Sequence, residues 1–385
     1  ANVKVMWRRV GGTLKPILGW CKARSFAAPI TRGVAEDEGD WSYASEWWDI
    51  TNTQGRIVHR ATSLHGNGII SIAAYPSSRP RREDWAETER WLASRHPETQ
   101  RFRVWGYQWR VLRFKGETRQ STVKVMAASM ESNPQSSFLM QCSNCLAVPY
   151  LKSMVSVGLT TLASLNEKLV IDAGNGSREL RILCIGHGGG SLPLFLANKL
   201  KGAVIDIVEI DPLVISSSIG AMGFPSSMKL DVINEVLWKG VHERLFIYEG
   251  DAEEFIVETR NMYDMVFVDA YDGDDVFPSK LWDPNMRFLR ALKEKIHHEH
   301  GTVLVNLHSD DEGSYVKEVG KAYGDVIGGG KCRALTVNVP WVCNTILAVH
   351  RGIVDDVSLR NLLLVKSLVI QKALNFPFPL LSYIS

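Results

Sequence analysis

Short apolar runs alternate with helix-like segments along the second half of the chain. The apolar runs begin at Leu180 and read "LRILCIG", "GAVIDIVEI", "LFIYEGD", "YDMVFVDA" and "GTVLVNL". Strands that are buried on both faces of a parallel sheet show this nearly continuous pattern. The segments between them, such as "SLPLFLANKL" and "NMRFLRALKEKI", have helical spacing. The alternation predicts a doubly wound α/β sheet, whose edge is closed by a hairpin of "CRALTVNV" and "NTILAVH".

The chain ahead of this sheet has a different pattern. Between residues 41 and 147, runs such as "GRIVHRAT", "GIISIAAY", "RFRVWGYQWRVLRF" and "STVKVMAA" are separated by turn signals, and one helical segment follows Pro80. We expect a small antiparallel β-rich domain over residues 41–147, and the α/β domain over residues 148–385, which opens with a helix over 148–165. Large aromatic side chains mostly serve packing. Core positions are therefore expected, rather than a peptide groove, for Trp47, Trp48, Trp105 and Trp109.

Four glycines lie between the first buried strand and the helix that follows it, in the stretch "LRILCIGHGGGSLPLF". Because glycine has no Cβ, Gly186, Gly188 and Gly190 allow a sharp turn and the close approach of a ligand to the backbone. The helix begins near Ser191, and its free N–H groups favour an anionic group such as a carboxylate. Taken alone, this stretch is explained equally well by a tight turn without a ligand.

Acidic residues close the next three strands at positions that suit a nucleoside. Glu209 ends the second strand, at the distance from the glycines where an acid can accept both hydroxyls of a ribose. Asp251 ends the third strand, where its side chain and the backbone of Ala252 can contact an adenine edge. Asp269 ends the fourth strand, in "VDAYDG". A doubly wound sheet brings these ends to one edge, so together they indicate a nucleotide-type site.

Residues 181–308 resemble the spermidine-synthase-like branch of class I S-adenosylmethionine-dependent methyltransferases. The likeness is greatest to the elongation-factor-1A lysine and N-terminal methyltransferase family, whose domain carries a stretch like "GHGGGSLPLF". The resemblance implies a Rossmann-like methyltransferase sheet and S-adenosyl-L-methionine as cofactor. It also implies that Glu209 contacts the ribose, that Asp251 with Ala252 contacts the adenine, and that four loop residues contact the methionine part. These loop residues are Gly186, His187, Gly188 and Gly190.

The resemblance further implies the reaction. The sulfonium of the cofactor already activates the methyl group, so the protein mainly aligns a nucleophile and excludes water. Asp269 matches the position where polyamine synthases keep the acid that deprotonates the amine, and it is assigned to both the cofactor and the catalytic groups. Asp269 or Tyr271 would orient the acceptor or take its proton. We expect a methyltransferase that acts on a protein amine, as a homodimer or as a member of an organellar complex.

Two alternatives stay open. Aminopropyltransferases of the spermidine synthase type have an aspartate inside the loop, where this chain has Gly189, and their decarboxylated cofactor lacks the carboxylate that a helix N-terminus favours. The glycine therefore favours the intact cofactor, although Asp269, Asp272, Asp274 and Asp275 can bind a polyamine if the acids are not simply a solvated loop. The other alternative is a subunit or assembly factor without activity, and intact Glu209 and Asp251 argue against it.

Composition narrows the class of protein. The chain has 385 residues, of which 45% are hydrophobic and 22% charged, and no long apolar run is free of charge, so a globular protein without a membrane span is expected. Its six cysteines are too sparse for a disulfide scaffold. No metal site is expected, either at the C-x-x-C motif of Cys142 and Cys145 or at the histidines before Gly301, which indicate a polar helix end. The histidines are His297, His298 and His300.

The first 35 residues are basic and contain no acidic residue. Leu14, Ile17, Leu18 and Cys21 recur at helical spacing, and a basic amphipathic segment of this kind is typical of a mitochondrial or plastid transit peptide. "ARSFAAP" resembles the Arg-x-Phe site at which mitochondrial presequences are cut. We expect residues 1–26 to be a mitochondrial transit peptide, with plastids as the second choice. A basic arm for nucleic acid or for a membrane surface is the alternative.

The charge balance favours the transit peptide over the basic arm. Residues 1–26 hold six of the 44 lysines and arginines and none of the 42 acidic residues, so their removal changes the net charge from +2 to −4. A slightly acidic protein has no global electrostatic footprint for phosphates. Nucleic acid is therefore not expected as a partner.

A fusion of residues 1–26 to a fluorescent reporter is expected to enter mitochondria, because import depends on a basic, amphipathic segment of this kind. Imaging of the fusion beside the reporter alone measures the effect of the segment. A fusion that stays in the cytosol, or that enters only plastids, contradicts the prediction.

Overall fold

The computed structural model describes residues 6–10, 13–17, 55–96, 100–115, 118–225, 232–309, 313–329, 334–352 and 356–384. The first described segments form a hairpin of β1 (Met6–Val10) and β2 (Thr13–Ile17), in which Val10 pairs with Thr13. Leu14 and Ile17 therefore lie on a strand, and the helix that their spacing indicated is not formed there. A Gly-Gly pair at 11–12 is a sequence typical of two-residue hairpin loops. Leu18, Cys21, the cut motif, Trp47 and Trp48 lie outside the described residues.

A five-stranded antiparallel sheet follows, in the order β3-β4-β5-β6-β7. Its elements are β3 (Arg56–Thr62), β4 (Ile69–Pro76), helix α1 (Trp85–Arg95), β5 (Phe102–Phe114), β6 (Thr118–Met130) and β7 (Asn133–Gln141). The sequence predicted all of them except β7, which starts with turn residues and serines. Trp109 is fully buried, as predicted, whereas Trp105 is 52% exposed. The indole N–H of Trp105 donates to Ser129 Oγ on the neighbouring strand at 2.9 Å.

The long helix α2 (Pro149–Asn175) continues beyond the predicted end at residue 165. Asn166 breaks its geometry at φ −151° and ψ 78°, and the Asn166 side chain accepts from the backbone N–H of Leu169 at 3.1 Å, which restarts the helix. Among the described residues, α2 alone is long and apolar enough to cross a membrane, with a mean hydropathy of 1.2, but 67% of that segment is buried inside the protein. Burial of this extent is that of a core helix.

A second sheet contains seven strands in the order β10-β9-β8-β11-β12-β14-β13, and β14 runs antiparallel to its two neighbours while the other pairs are parallel. The strands are β8 (Leu180–Ile185), β9 (Ala203–Glu209), β10 (Leu245–Glu249), β11 (Met265–Val268), β12 (Thr302–His308), β13 (Leu335–Asn338) and β14 (Asn344–His350). A doubly wound sheet with one reversed strand next to its edge is the topology of class I methyltransferases. The predicted fold class is confirmed.

Helices cover both faces of this sheet. They are α3 (Ser191–Lys199), α4 (Pro212–Met222), α5 (Val232–Leu237), α6 (Ala252–Glu258), α7 (Arg287–Lys295), α8 (Ser314–Val326) and α9 (Asp356–Ala373). Side chains of α2, α3 and α9 form one apolar core with one face, and side chains of α6, α7 and α8 form a second core with the other. The strands are apolar on both sides for this reason. The polar residues that follow the carboxyl ends of these strands meet at one edge of the sheet.

Asp211 joins the two large sheets. Its buried carboxylate accepts hydrogen bonds from Ser63 Oγ at 2.5 Å and from Asn67 Nδ2 at 2.8 Å, both in the loop between β3 and β4. The same carboxylate accepts from the backbone N–H of Leu213 at 2.9 Å and caps α4. This network fixes the β3–β4 loop beside the carboxyl end of β9, where Glu209 lies.

Asp211→Ala is expected to lower the free energy of unfolding by about 3 kcal/mol, because three buried donors lose a charged acceptor. Urea unfolding followed by tryptophan fluorescence measures the change. Asp325→Asn is the matched control: within the part of the chain that the structure describes, its exposed carboxylate pairs with exposed Lys321 on α8, so stability should stay nearly unchanged. Equal effects of the two substitutions would show that Asp211 does not join the sheets.

Candidate functional site

A cavity of about 380 Å³ opens at the carboxyl ends of β8, β9, β11 and β12. The glycine turn, the last residues of these strands and the first turns of α2 and α3 line it, and residues of the five-stranded sheet line its remaining side. Cavities of this size hold small ligands and cofactors. The position is the edge where a doubly wound sheet binds its ligand.

The three predicted loop glycines have different tasks. Gly186 and Gly188 line the cavity with φ angles of 87° and 53°. A Cβ on Gly186 would lie 2.2 Å from the backbone oxygen of Asp269, so no other residue fits there. Gly190, at φ 78°, begins α3 and does not line the cavity; a Cβ on it would meet the ring of Phe224 at 2.3 Å. Contact between Gly190 and the cofactor stays a prediction, and the packing against Phe224 shows that Gly190 is also required by the turn.

Glu209 holds the loop and faces the cavity at the same time. Its carboxylate accepts a backbone N–H from His187 at 2.9 Å, one from Asp211 at 3.0 Å, and one from Gly188. Burial raises the pKa of Glu209 above its ordinary value, although these backbone hydrogen bonds oppose the shift. A carboxylate offers about four acceptor positions. The position that the backbone leaves free can accept a ribose hydroxyl.

The His187 ring turns toward α4. Its Nε2 lies 2.7 Å from Ser218 Oγ, and the ring packs edge-on against Phe224 with centroids 4.8 Å apart. The Ser218 hydroxyl donates to the Ile215 carbonyl at 2.8 Å, so His187 carries its proton on Nε2. Burial lowers the pKa of this imidazole from 6.5 to about 4. His187 lines the cavity as predicted, as a neutral ring.

Of the two residues predicted to bind the adenine, one lines the cavity. Ala252 lines it, but the carboxylate of Asp251 caps α6 by accepting from the Glu253 backbone N–H at 2.8 Å and pairs with the Lys280 ammonium. Burial alone would raise the pKa of Asp251, but the hydrogen bonds from Lys280 and the backbone lower it. Lys280 itself lines the cavity. Contact between Asp251 and an adenine stays a prediction, with Lys280 as the competing partner.

Asp269 is the buried acid of the site. It ends β11, lines the cavity, and accepts from Asn306 Nδ2 at 2.9 Å and from the hydroxyl of Tyr150. Burial raises the pKa of Asp269, and these two hydrogen bonds oppose the shift. Asn306 is held in turn by Asn344 Nδ2 at 3.0 Å. The carboxylate is thus fixed in orientation and keeps lone pairs for a ligand.

Tyr271 lines the cavity and is held by the backbone of β12. Its hydroxyl donates to the Asn306 backbone oxygen and accepts from the His308 backbone N–H, both at 2.9 Å. The ring stacks on the His308 imidazole with centroids 4.3 Å apart. Burial raises the pKa of Tyr271 far above its ordinary value. A catalytic role for Tyr271 stays a prediction, and these contacts favour a positioning role.

Two loops form the roof of the cavity, which we define as residues 63–68 and 272–275. The backbones touch, since a Cβ on Gly273 would lie 2.7 Å from the Gly66 oxygen. Beside this contact, Lys115 Nζ pairs with Asp274 at 2.5 Å. In the second loop the acids are already paired: Asp272 accepts two backbone N–H groups, and Asp275 lies 3.4 Å from the His308 Nδ1. Both loops therefore line the cavity on the side of the five-stranded sheet.

Gly189 lies against the five-stranded sheet. A Cβ there would meet Val123 at 2.7 Å and both Met222 and Ser121 at 2.9 Å, and the Gly189 carbonyl accepts from Gln141 Nε2 at 2.8 Å. An aspartate at this position would point at β6 and not into the cavity. The absence of an acid at 189 is therefore explained by packing and carries less weight about the cofactor than the sequence suggested.

Sequence reasoning missed several residues of the site. Tyr150 at the start of α2, Lys280 in a loop and Gln141 at the end of β7 have no motif around them that indicates a site. Asn306 had a usable signal, because it is a polar residue inside the buried strand "TVLVNLH". Cys142 and Cys145 form no disulfide, and Cys145 packs in the core with Trp109.

No protein-family profile matches the chain. The eEF1A lysine and N-terminal methyltransferase of Homo sapiens is 28% identical over 177 residues, which are 44% of this chain and 22% of that protein. The Mus musculus protein of the same name is 27% identical over 169 residues, which are 42% and 21%. Over that segment these methyltransferases are homologues of the chain. The chain spans about a fifth of the length of these curated relatives.

Solved structures that resemble the chain have lower sequence identity to it than these relatives have. Human methyltransferase-like protein 13 in complex with SAH has a TM-score of 0.46 and 21% identity, covering 59% of this chain and 93% of that chain. A probable spermidine synthase from Corynebacterium glutamicum has a TM-score of 0.45 and 14% identity, covering 71% and 92%. The strand order of the sheet, and not these scores, carries the assignment to the class I methyltransferase fold.

The neutral His187 ring predicts a loss of stability in acid. The unfolded chain binds a proton at this residue below its ordinary pKa of 6.5, whereas the folded protein resists protonation down to about pH 4, so stability falls as the pH drops through this window. Between pH 7 and pH 5, the wild type should lose about 2 kcal/mol more than His187→Gln. Urea unfolding at both pH values measures the difference. His298→Gln, at an exposed histidine, should behave as the wild type; a wild-type slope in His187→Gln contradicts the assignment.

Proposed function

We propose that the chain is an S-adenosyl-L-methionine-dependent methyltransferase that acts on a protein amine, a lysine or an N-terminus. The observation that carries the proposal is the buried Asp269, which faces the same cavity as Glu209 and the glycine turn. The printed name of the homologous segment's relatives, eEF1A lysine and N-terminal methyltransferase, supports an amine as acceptor.

The residues of the cavity fit the cofactor. The first N–H groups of α3, at Ser191 and Leu192, have no partner inside their helix and suit its carboxylate. Glu209 keeps an acceptor position for a ribose hydroxyl beside its three backbone hydrogen bonds. When bound, the cofactor supplies a methyl group that its sulfonium activates. The residues of the chain bind the cofactor and position the acceptor.

Asp269 has the task of positioning the acceptor. An amine attacks only when it is neutral, so its proton must leave for a nearby acceptor or for water. The raised pKa of Asp269 brings its basicity closer to that task. Hydrogen bonds from Asn306 and Tyr150 fix the orientation of the carboxylate.

Aminopropyl transfer is less well supported. A polyamine needs several free acids, and the candidates at the mouth of the cavity already have partners: Asp274 pairs with Lys115, Asp275 with His308, and Asp272 with backbone N–H groups. Mitochondria are the proposed location, which rests on the basic sequence of residues 1–26 and on the Arg-x-Phe motif.

The product S-adenosylhomocysteine is expected to bind the wild type, and Glu209→Gln should weaken binding by about 1–3 kcal/mol, because the ribose loses a charged acceptor. Titration calorimetry measures both affinities. Glu249→Gln is the matched control, since Glu249 pairs in register with Glu209 on exposed β10 and does not line the cavity. Equal affinities of Glu209→Gln and the wild type would remove Glu209 from the site.

Asp269→Asn should lower kcat by roughly 100-fold or more while S-adenosylhomocysteine affinity changes little, because the amide cannot take a proton. In Tyr271→Phe, kcat should fall far less, since the Tyr271 hydroxyl already bonds to two backbone groups of β12. The assay follows tritiated methyl transfer to purified eEF1A and to a mitochondrial protein extract, beside aminopropyl transfer to putrescine from the decarboxylated cofactor. Binding without any methyl transfer would support the non-catalytic alternative, and aminopropyl transfer would overturn the proposed reaction.

A further inference from the structure

One end of the cavity lies beside β10, the edge strand next to β9. We define this base end by its lining residues, which are Ile210, Gly250, Ala252, Pro278, Lys280 and Leu281. Ile210 follows Glu209 directly, so a base joined to a ribose at Glu209 would reach this end. The position rests on the proposed function, since Glu209 is the proposed ribose acceptor. Among these described residues, Lys280 alone is charged.

The carboxylate of Asp251 is held beside the base end and not inside it. Asp251 follows β10 but does not line the cavity. Its Oδ1 accepts the Glu253 backbone N–H at 2.8 Å, which caps α6, and its Oδ2 pairs with the Lys280 ammonium. A carboxylate that caps a helix is oriented by the N–H groups of the first turn. Both oxygens of Asp251 therefore have a partner before any ligand binds.

The backbone that carries Lys280 is fixed. Lys280 lies in a single helical turn, Ser279–Leu281. The Leu281 side chain is 2% exposed and packs in the second core of the seven-stranded sheet, and the Leu281 carbonyl accepts from the Tyr323 hydroxyl at 2.8 Å. The Asp283 backbone N–H closes the turn on the Ser279 carbonyl at 2.8 Å. With its backbone fixed and its ammonium paired, the Lys280 side chain is restricted at both ends.

The ammonium of Lys280 keeps donors for a ligand. An ammonium has three N–H donors and no acceptor. Asp251 takes one of them, and the described part of the chain offers Lys280 no other hydrogen-bond partner. The side chain is 34% exposed and lines the cavity. Adenine presents ring nitrogens that accept and an exocyclic amine that donates. The charged group at the base end therefore matches a ring nitrogen and not the amine.

We propose that Lys280 binds the adenine of the cofactor, by donating from Nζ to a ring nitrogen, and that Asp251 is a positioning residue that holds the ammonium. Hydrogen bonds from a charged donor are the strong ones. A side chain that is already oriented by an ion pair loses little conformational freedom when the ligand arrives. This assignment replaces a direct contact between Asp251 and the adenine, which the sequence predicted.

Titration calorimetry with S-adenosylhomocysteine on a double-mutant cycle tests the proposal. The Kd should rise at least tenfold in Lys280→Met and several-fold in Asp251→Asn. The double variant should match Lys280→Met, because Asp251 acts only through Lys280. Lys280→Arg keeps a charged donor and should restore most of the affinity. Lys321→Met is the matched control, since Lys321 forms an exposed pair with Asp325 on α8, and its Kd should equal that of the wild type.

Analogues of S-adenosylhomocysteine in which one ring nitrogen of the adenine is replaced by CH give a second readout. One of them should bind the wild type at least tenfold more weakly than the parent compound, and this difference should disappear in Lys280→Met. A purely structural role of Lys280 would not depend on a single ring atom.

Unchanged or tighter binding of S-adenosylhomocysteine by Lys280→Met overturns the proposal. So does a further loss of affinity when Asp251→Asn is added to Lys280→Met, which would assign the base contact to Asp251. Equal binding of all the analogues by the wild type overturns it as well. A wild type that does not bind S-adenosylhomocysteine at all would instead overturn the proposed function, and this inference with it.

Discussion

The glycine turn is held from two sides, and the geometry of the cavity depends on this constraint. On the inner side, Glu209 accepts the His187 N–H and ties the turn to the second strand of the seven-stranded sheet. On the outer side, Gln141 donates to the Gly189 oxygen and ties it to the five-stranded sheet. The turn has no freedom to relax toward either, so its backbone is already in place before a ligand arrives, which lowers the entropic cost of binding.

The five-stranded sheet is therefore part of the site and not an appendage. It supplies one wall of the cavity through β6 and half of the roof through the loop that Asp211 anchors. The other half of the roof follows β11, and the Lys115–Asp274 pair joins the two halves at the surface. A salt bridge this exposed contributes little energy. The buried network around Asp211 therefore holds the first loop more firmly than this exposed pair does.

The sequence predicted the sheet well, because doubly buried strands are apolar on both sides and their spacing is unambiguous. It also brought Gly186, Glu209 and Asp269 to one edge, since the ends of parallel strands meet by topology. The sequence could not predict the hydrogen-bond partners of side chains. Tyr271 has the residue type of a catalytic group, but the structure shows that its hydroxyl bonds to the backbone of Asn306 and His308. The trans-domain contacts of Gln141 join residues far apart in the chain, and no local pattern encodes them.

The Gln141 side chain also donates to the Met222 oxygen at 3.2 Å, so residues 81 positions apart in the chain meet at one amide. During synthesis, the five-stranded sheet leaves the ribosome before any of the strands that it packs against. Its wall residue Val123 and neighbours such as Val125 form an apolar core with Met222 only once α4 has been made. Loops of this length close slowly. Until then, this face of the early sheet exposes apolar side chains such as Val123 and Val125 to solvent.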